Sequence, residues 1–531
     1  MSSTGTLQVL TPGTGYGLVV GLGVAFTVIM ILLTSIQNRY GEHNTFKSTE
    51  EFNAASRSIK PARAQDLYVF GLITNVINGS ALLTGGCGVF NALTGMNIWA
   101  SLANTAAQAY IVTGGLRSTF ICDYLHTVVL YAIIFIFMFS VYVASPHIGS
   151  PEALFDFLDK QAVDGHAAGT DDGSYFTVRS RDSLVFGATI FLAGFSGVWT
   201  DQAYWQRAIA SAPHTAVKGY VLGSLAWYAV PFAMSTCMGL VAAAIQGSDV
   251  FPVTLSDADV SAGLVAPAAA IALLGKSGAC LIIVLLFMAV TSSTSAESIG
   301  ASSLITFDIY KAYMNPVAST RRLLWVSIAG LFAYGVVLAA VSCIFHAAGI
   351  SLGWLVKIFG CLMGGASFPI AAVVLWDRTS TFAAQASPIL GLVSGLSAWM
   401  ITTKVRSGSI NITTTGDSFN SLAGDCVGLG VGLVSVVLLT FLYPEKQPHT
   451  ADVQPILGIG PGSAQSAENA MPPKEKGQSA GLAQPGVEAI LEEQSKEPRV
   501  PVSALNETEV RAQKRLALAG LAFNTICLMV L

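Results

Sequence analysis

Charge is what this chain has least of. Only 11% of its 531 residues are Asp, Glu, Lys or Arg, where an average soluble domain carries about 25%. With 53% hydrophobic residues and a mean hydropathy of +0.61, a soluble globule is excluded. The class is a polytopic, all-α membrane protein embedded in a lipid bilayer. The net charge of −4 gives no basic surface and no nucleic-acid partner. The eight cysteines form no CxxC and no Cys/His spacing, so neither a metal site nor a disulfide framework is expected. No cofactor motif is present, and an enzyme is not expected. The first 15 residues lack the basic start of a signal peptide, so the first apolar run is expected to act as a signal-anchor.

Apolar runs divide the chain. Residues 1–66 hold a first helix (Gly17–Ile36) and a basic loop, and residues 67–442 hold the transmembrane core. Residues 443–515 lack apolar periodicity and are expected to form a disordered cytoplasmic linker. Residues 516–531 form a final apolar run too short for a full crossing. No Lys or Arg precedes the first run and five follow it before Leu67, which predicts an external N-terminus. Runs follow at Leu67–Leu93, Ile98–Thr113 (weak), Tyr124–Ala144, Ser183–Trp199 and Gly219–Ala244. Ala279–Thr306, Leu324–Phe345, Leu352–Trp376, Phe382–Ile401 and Leu422–Leu442 complete the set. Ser145–Asp182 is expected as an extramembrane loop, and Ala266–Leu274 as a short helix in an external vestibule. Most Lys and Arg fall on the inside of this alternation. Lys404 and Arg406 fall outside, as does the sequon at Asn411, a glycosylation candidate. Lys357, inside a span, must face protein or water.

Within Leu281–Tyr310 the apolar run turns to Ser, Thr and one Glu. Ala289, Ser292 and Ser293 share a helix face and could surround a small cation with neutral oxygens. The same composition also suits a tight helix interface. Glu297 lies on that face, one turn further inward. It is either a proton-accepting group on the exit path or a structural partner, for instance to Lys357. Upstream, Gly194-Phe-Ser-Gly197 could break a helix that ends in WTDQAYWQRAIA.

The TDQxxxQR cluster, followed by AxxSS and DIYK, resembles the sodium:solute symporter family, and within it the fungal and plant urea-transporter branch. The likeness rests on ten stretches between Gln37 and Asp425, among them EEFNxASRSIKP, GGLRSTFICDYLHTVVL, DADVSAGL, PAAAIALLGKSG, TSSTSAESI and TTTGDSFNSLAGD. It implies the LeuT-type fold of two inverted five-helix repeats, each opening on a broken helix. It also implies a multi-pass plasma-membrane symporter of urea, with polyamines as a further substrate class, driven by H+ or Na+ and using no cofactor. By the same likeness Ala289, Ser292 and Ser293 would hold the coupling ion, a Na+ being the only metal in view. Ser196, Trp199 and Gln202 would face the substrate. Asp201, Gln206 and Arg207 would form the polar cytoplasmic end of the broken helix, or an ion pair there. One departure stands out. In the family two helices separate SRSIKP from the NALTGMN helix, and here Ser58–Pro61 runs through ARAQD straight to Leu67. The first repeat is therefore expected to be incomplete. The other reading is a transport-inactive or urea-sensing homologue.

Overall fold

The protein is described by a computed structural model. It describes residues 7–40, 65–97, 109–163, 169–445 save 171, 172, 178, 212, 252 and 377, and parts of 511–522. Most of the expected linker, most of the basic loop and most of the weak third run lie outside the described residues. So does most of the final run.

Among the described residues there is no strand; fourteen α-helices are numbered in chain order, and a fifteenth, Val241–Ile245, continues the seventh through a π-helical turn at Ser235–Leu240. They are α1 (Pro12–Tyr40), α2 (Gln65–Thr94), α3 (Ala109–Phe139), α4 (Pro151–Val163), α5 (Arg181–Thr200), α6 (Gln202–Ala210) and α7 (Pro213–Met234). Then come α8 (Asp257–Ser261), α9 (Val265–Ser303), α10 (Thr320–Ala347), α11 (Leu352–Leu375), α12 (Thr381–Ser407), α13 (Ile412–Thr415) and α14 (Ser418–Leu442). Among the described residues, ten helical segments are long and apolar enough to cross a membrane.

Short polar side chains set the helix starts, as their ability to accept from free N–H groups predicts. Ser180 accepts from the Ser183 N–H, Ser351 from Trp354 and Ser380 from Ala383. Asn411 caps α13, and Asp417 caps α14. The two basic residues that broke the charge alternation serve the α12 end. Lys404 donates to the Gly408 carbonyl at 2.7 Å, and Arg406 pairs with Asp417 at 2.8 Å.

Gly275, at φ 57° and ψ −134°, separates Val265–Leu274 from the long part of α9. This is the short helix expected from the sequence at Ala266–Leu274. A second such break, at Gly115 (φ 54°, ψ −150°), ends the remnant of the third run before α3 proper. The 145–182 loop contains α4, which the sequence reading did not separate. Leu154 and Leu158, four residues apart, are its buried face.

Leu7, Leu10, Leu154, Leu158, Ile245, Leu264 and Ala268 belong to one apolar cluster. The N-terminal residues, α4, the Val241–Ile245 segment that follows α7 and the short helix of α9 therefore share one apolar core. Elsewhere α5, α11, α12 and α14 form a bundle in which backbones touch. A Cβ at Gly365 would lie 2.7 Å from the Gly391 carbonyl carbon, and one at Gly395 would lie 3.1 Å from the Gly424 oxygen.

Candidate functional site

The hydroxyl-rich half of α9 faces α2, the start of α6, and α10. Thr291, Thr294, Ser295, Ser298, Ser302 and Ser303 are all buried. Most of their hydroxyls return to their own helix. Thr294 donates to Val290, Ser298 to Thr294 and Ser295 to Ser292. Much of the polar character of the stretch is thereby consumed locally, while Ser302 reaches the Ser327 carbonyl of α10 at 2.8 Å and one charged side chain reaches α2.

That side chain is Glu297, 3% exposed. The Asn78 amide of α2 donates to its Oε1 at 2.6 Å, and the Asn75 amide donates to its Oε2. Asn75 also reaches Asp201 Oδ1 at 3.3 Å. The Tyr334 hydroxyl of α10 fixes this turn of α2 by donating to the Asn75 carbonyl at 2.7 Å. The Asn75 amide thus reaches both carboxyl groups, bringing Glu297 and Asp201 together at one donor. Gly300 allows the close approach, since a Cβ there would lie 3.3 Å from the Ala203 nitrogen and 3.6 Å from the Asn75 amide. Lys357 is not Glu297's partner. Its Nζ donates to the Gly416 carbonyl at 3.0 Å.

Asp201 corrects the expected helix break. Gly194–Gly197 stay helical, and α5 runs unbroken to Thr200. The chain breaks at Asp201 (φ −76°, ψ 115°), whose side chain accepts from the Ala203 N–H at 2.8 Å. A carboxylate that caps the next helix is a stronger stop than glycines already hydrogen-bonded in a helix. The end of α5 and the start of α6 are thus two elements with a polar joint between them.

The expected residues divide around that joint. Trp199 and Gln202 are half-buried on either side of it. Trp199 packs edge-on with Phe195 at 6.4 Å, and its carbonyl accepts from the Trp205 indole at 2.9 Å. Ser196 is fully buried, with its hydroxyl on the Leu192 carbonyl at 2.8 Å. Gln206 is buried at 1% exposure. Arg207 does not pair with Asp201, which lies at the other end of α6. It pairs with Asp123 of α3 at 2.7 Å, over the Phe120 ring at 5.8 Å.

Asp123 was missed in the sequence, where it sits inside the GGLRSTFICDYLHTVVL stretch beside an apolar run. It also accepts from the Ser292 hydroxyl on its other oxygen. Ala289, Ser292 and Ser293 are each half-buried, on one face, as expected. The face therefore meets an anion already matched by a guanidinium. Asn411 is exposed, with its Oδ1 accepting from the Thr414 N–H at 2.9 Å.

Comparison with known proteins gives a consistent picture. A model of the sodium:solute symporter family matches residues 18–391. The probable urea active transporter 1 of Schizosaccharomyces pombe is 34% identical over 517 positions, which take in 82% of this chain and 77% of that protein. The rice urea-proton symporter DUR3 is 39% identical over 394 positions, 71% of this chain and 54% of that protein. The urea active transporter of Saccharomyces cerevisiae is 30% identical over 515 positions, 82% of this chain and 70% of that protein. Since 82% of this chain is about 435 residues, roughly 80 of the 517 positions in the first alignment have no counterpart here. That is the size of two membrane helices with their connections, at about 20 apolar residues each. Among solved structures, a Na+-coupled sialic acid symporter in a substrate-bound outward-open state superimposes with a TM-score of 0.56. It is 13% identical and covers 81% of this chain and 99% of that one. The likeness shows the fold, the LeuT type.

Proposed function

The chain belongs to the sodium:solute symporter family, and from that premise we propose that it is a secondary-active symporter carrying urea across the plasma membrane on a proton gradient. The names of its relatives support the substrate. The observation that supports the coupling ion is the pair of buried acids, Asp201 and Glu297, gathered on the Asn75 amide at the α5–α6 joint. A proton entering or leaving that pair changes the charge where two helices meet end to end. Asn75 and Asn78 hold Glu297 in place in either state.

Sodium is the weaker reading for a stated reason. Ala289, Ser292 and Ser293 present oxygens beside Asp123, but Arg207 already supplies the positive charge there. A sodium ion would have to displace a bound guanidinium. Urea is neutral, with two NH2 donors and one acceptor, so its site needs amides, hydroxyls and an aromatic wall and no countercharge. Gln202 and Trp199 at the joint offer these, with Ser196 behind them. The solute is carried unchanged, so the protein is not an enzyme and uses no cofactor. The N-terminus is placed outside on the distribution of Lys and Arg.

The test is uptake of labelled urea with and without an inward proton gradient, in wild type and in Glu297→Gln. The wild type should concentrate urea when the outside is acidified. The Gln variant should lose that accumulation and its pH dependence while still exchanging urea for urea. An unaltered pH profile in the variant would rule the proton role out. The roughly 80 positions missing from the first alignment favour one second reading, a homologue that binds urea without moving it. Urea binding to the purified protein without uptake under any gradient would establish that instead.

A further inference from the structure

The α5–α11–α12–α14 bundle holds a carboxyl group that the transport reading leaves unused. Asp425, on the third turn of α14, is 1% exposed. Neither of its oxygens has a hydrogen-bond partner among the described residues. The group is pressed against α11, where a Cβ at Gly360 would lie 2.6 Å from its carboxyl carbon and 2.7 and 2.8 Å from its oxygens. The carboxyl thus occupies the space that a side chain at 360 would need. The polar group beside it is the Cys361 thiol, which donates to the Ser421 carbonyl at 3.3 Å.

No neighbouring element turns a cation towards it. On α11, Lys357 is one turn away with its Nζ on the Gly416 carbonyl at 3.0 Å. On α12 the charged residues are Lys404 and Arg406, which serve Gly408 and Asp417. On α5 they are Arg181 and Asp182, both in its first turn. On α14 itself, Asp417 is at the N-cap and Cys426 is exposed. An anion so placed would lack both donor and countercharge, whereas a neutral acid would lack only hydrogen bonds.

We propose that Asp425 is a proton-binding site in the seam between α11 and α14, separate from the Asp201–Glu297 pair. Gly364, one turn after Gly360, lies against the Ser196 hydroxyl and the Leu429 nitrogen, since a Cβ there would be 3.5 and 3.6 Å from them. The proton is therefore held one turn along the seam from α5's substrate-facing candidate. The site stands whether or not urea is the solute.

Infrared difference spectroscopy of the full-length protein in lipid, taken between wild type and variant in mildly acid buffer, reads the carbonyl stretch of protonated carboxylic acids directly. Asp425→Asn should remove one such band and leave the band belonging to the Asp201–Glu297 pair. Glu297→Gln should do the converse. A spectrum unchanged by Asp425→Asn would overturn the proposal. Failure of Asp425→Asn to fold would overturn it equally, because the amide reproduces the shape and neutrality of the acid, so the fold would be depending on the charge.

Discussion

Glu297 and Asp425 are both acids buried inside membrane-spanning helices, and their surroundings are opposite. Glu297 is met by two asparagine amides and a second carboxyl. Asp425 is met by a glycine backbone and a thiol engaged elsewhere. The first environment tolerates a change of charge, because its donors remain when a proton leaves. The second tolerates a proton and little else. Burial alone therefore says nothing about whether an intramembrane acid is mobile in charge, and the donors around it decide.

The comparison breaks most visibly if Glu297 is stripped of its donors. Replacing both Asn75 and Asn78 by Leu should destabilise the fold by about 3–5 kcal/mol, the usual cost of leaving a buried charge without its partners. Loss of a monodisperse peak and a lower Tm in detergent would report it. An unchanged Tm would mean that Glu297 draws nothing from α2.

A smaller effect is expected in the bundle. Gly360→Ala forces a Cβ into the Asp425 carboxyl, and overpacking of this kind costs about 1–3 kcal/mol. The double variant Gly360→Ala, Asp425→Ala should recover most of that loss in Tm. Gly88→Ala on α2, where a Cβ meets nothing within 4 Å, is the control and should be neutral or slightly stabilising. Additive losses in the double variant would show that the two residues do not share the space.

The smallest effect sharpens the comparison with an acid outside the membrane. Asp259 accepts from the Ser256 hydroxyl at 2.7 Å and its N–H at 2.9 Å, and these bonds hold it below the usual carboxylate range. A depressed carboxylate stabilises above its unfolded value, and that contribution is lost as pH falls through the folded one. Hydrogen-exchange protection over Asp257–Ser261, taken relative to the intrinsic rate at each pH, should therefore fall on acidification. Ser256→Ala should move that onset to higher pH. An onset that does not move would remove the capping pair as its cause.

Much of this was legible in the sequence, because crossing a bilayer demands long apolar runs and capping demands particular side chains. The limits of α5, α9, α11 and α14 fall within a few residues of the runs that predict them. The short helix before Gly275 was legible from its length. What the sequence did not disclose is pairing at a distance. Asn75 and Asn78 stand out within an apolar run, but nothing local ties them to Glu297, over 200 positions later. Asp123 was hidden for the same reason, its partners lying on α6 and α9. The break at Asp201 was misassigned because glycine signals flexibility in any context, whereas an aspartate acts as a stop only where the next helix presents its free N–H groups.

The glycine contacts among α11, α12 and α14 also have a mechanical meaning. Where Gly365 meets Gly391 and Gly395 meets Gly424, backbone lies on backbone. No side-chain torsion is available there to absorb a displacement. A shear of even one ångström along such a joint drives main-chain atoms into overlap. Those three helices have to travel as one stiff body, and any strain from a moving partner is delivered to the more compliant side-chain contacts that α5 and α2 make at its edge.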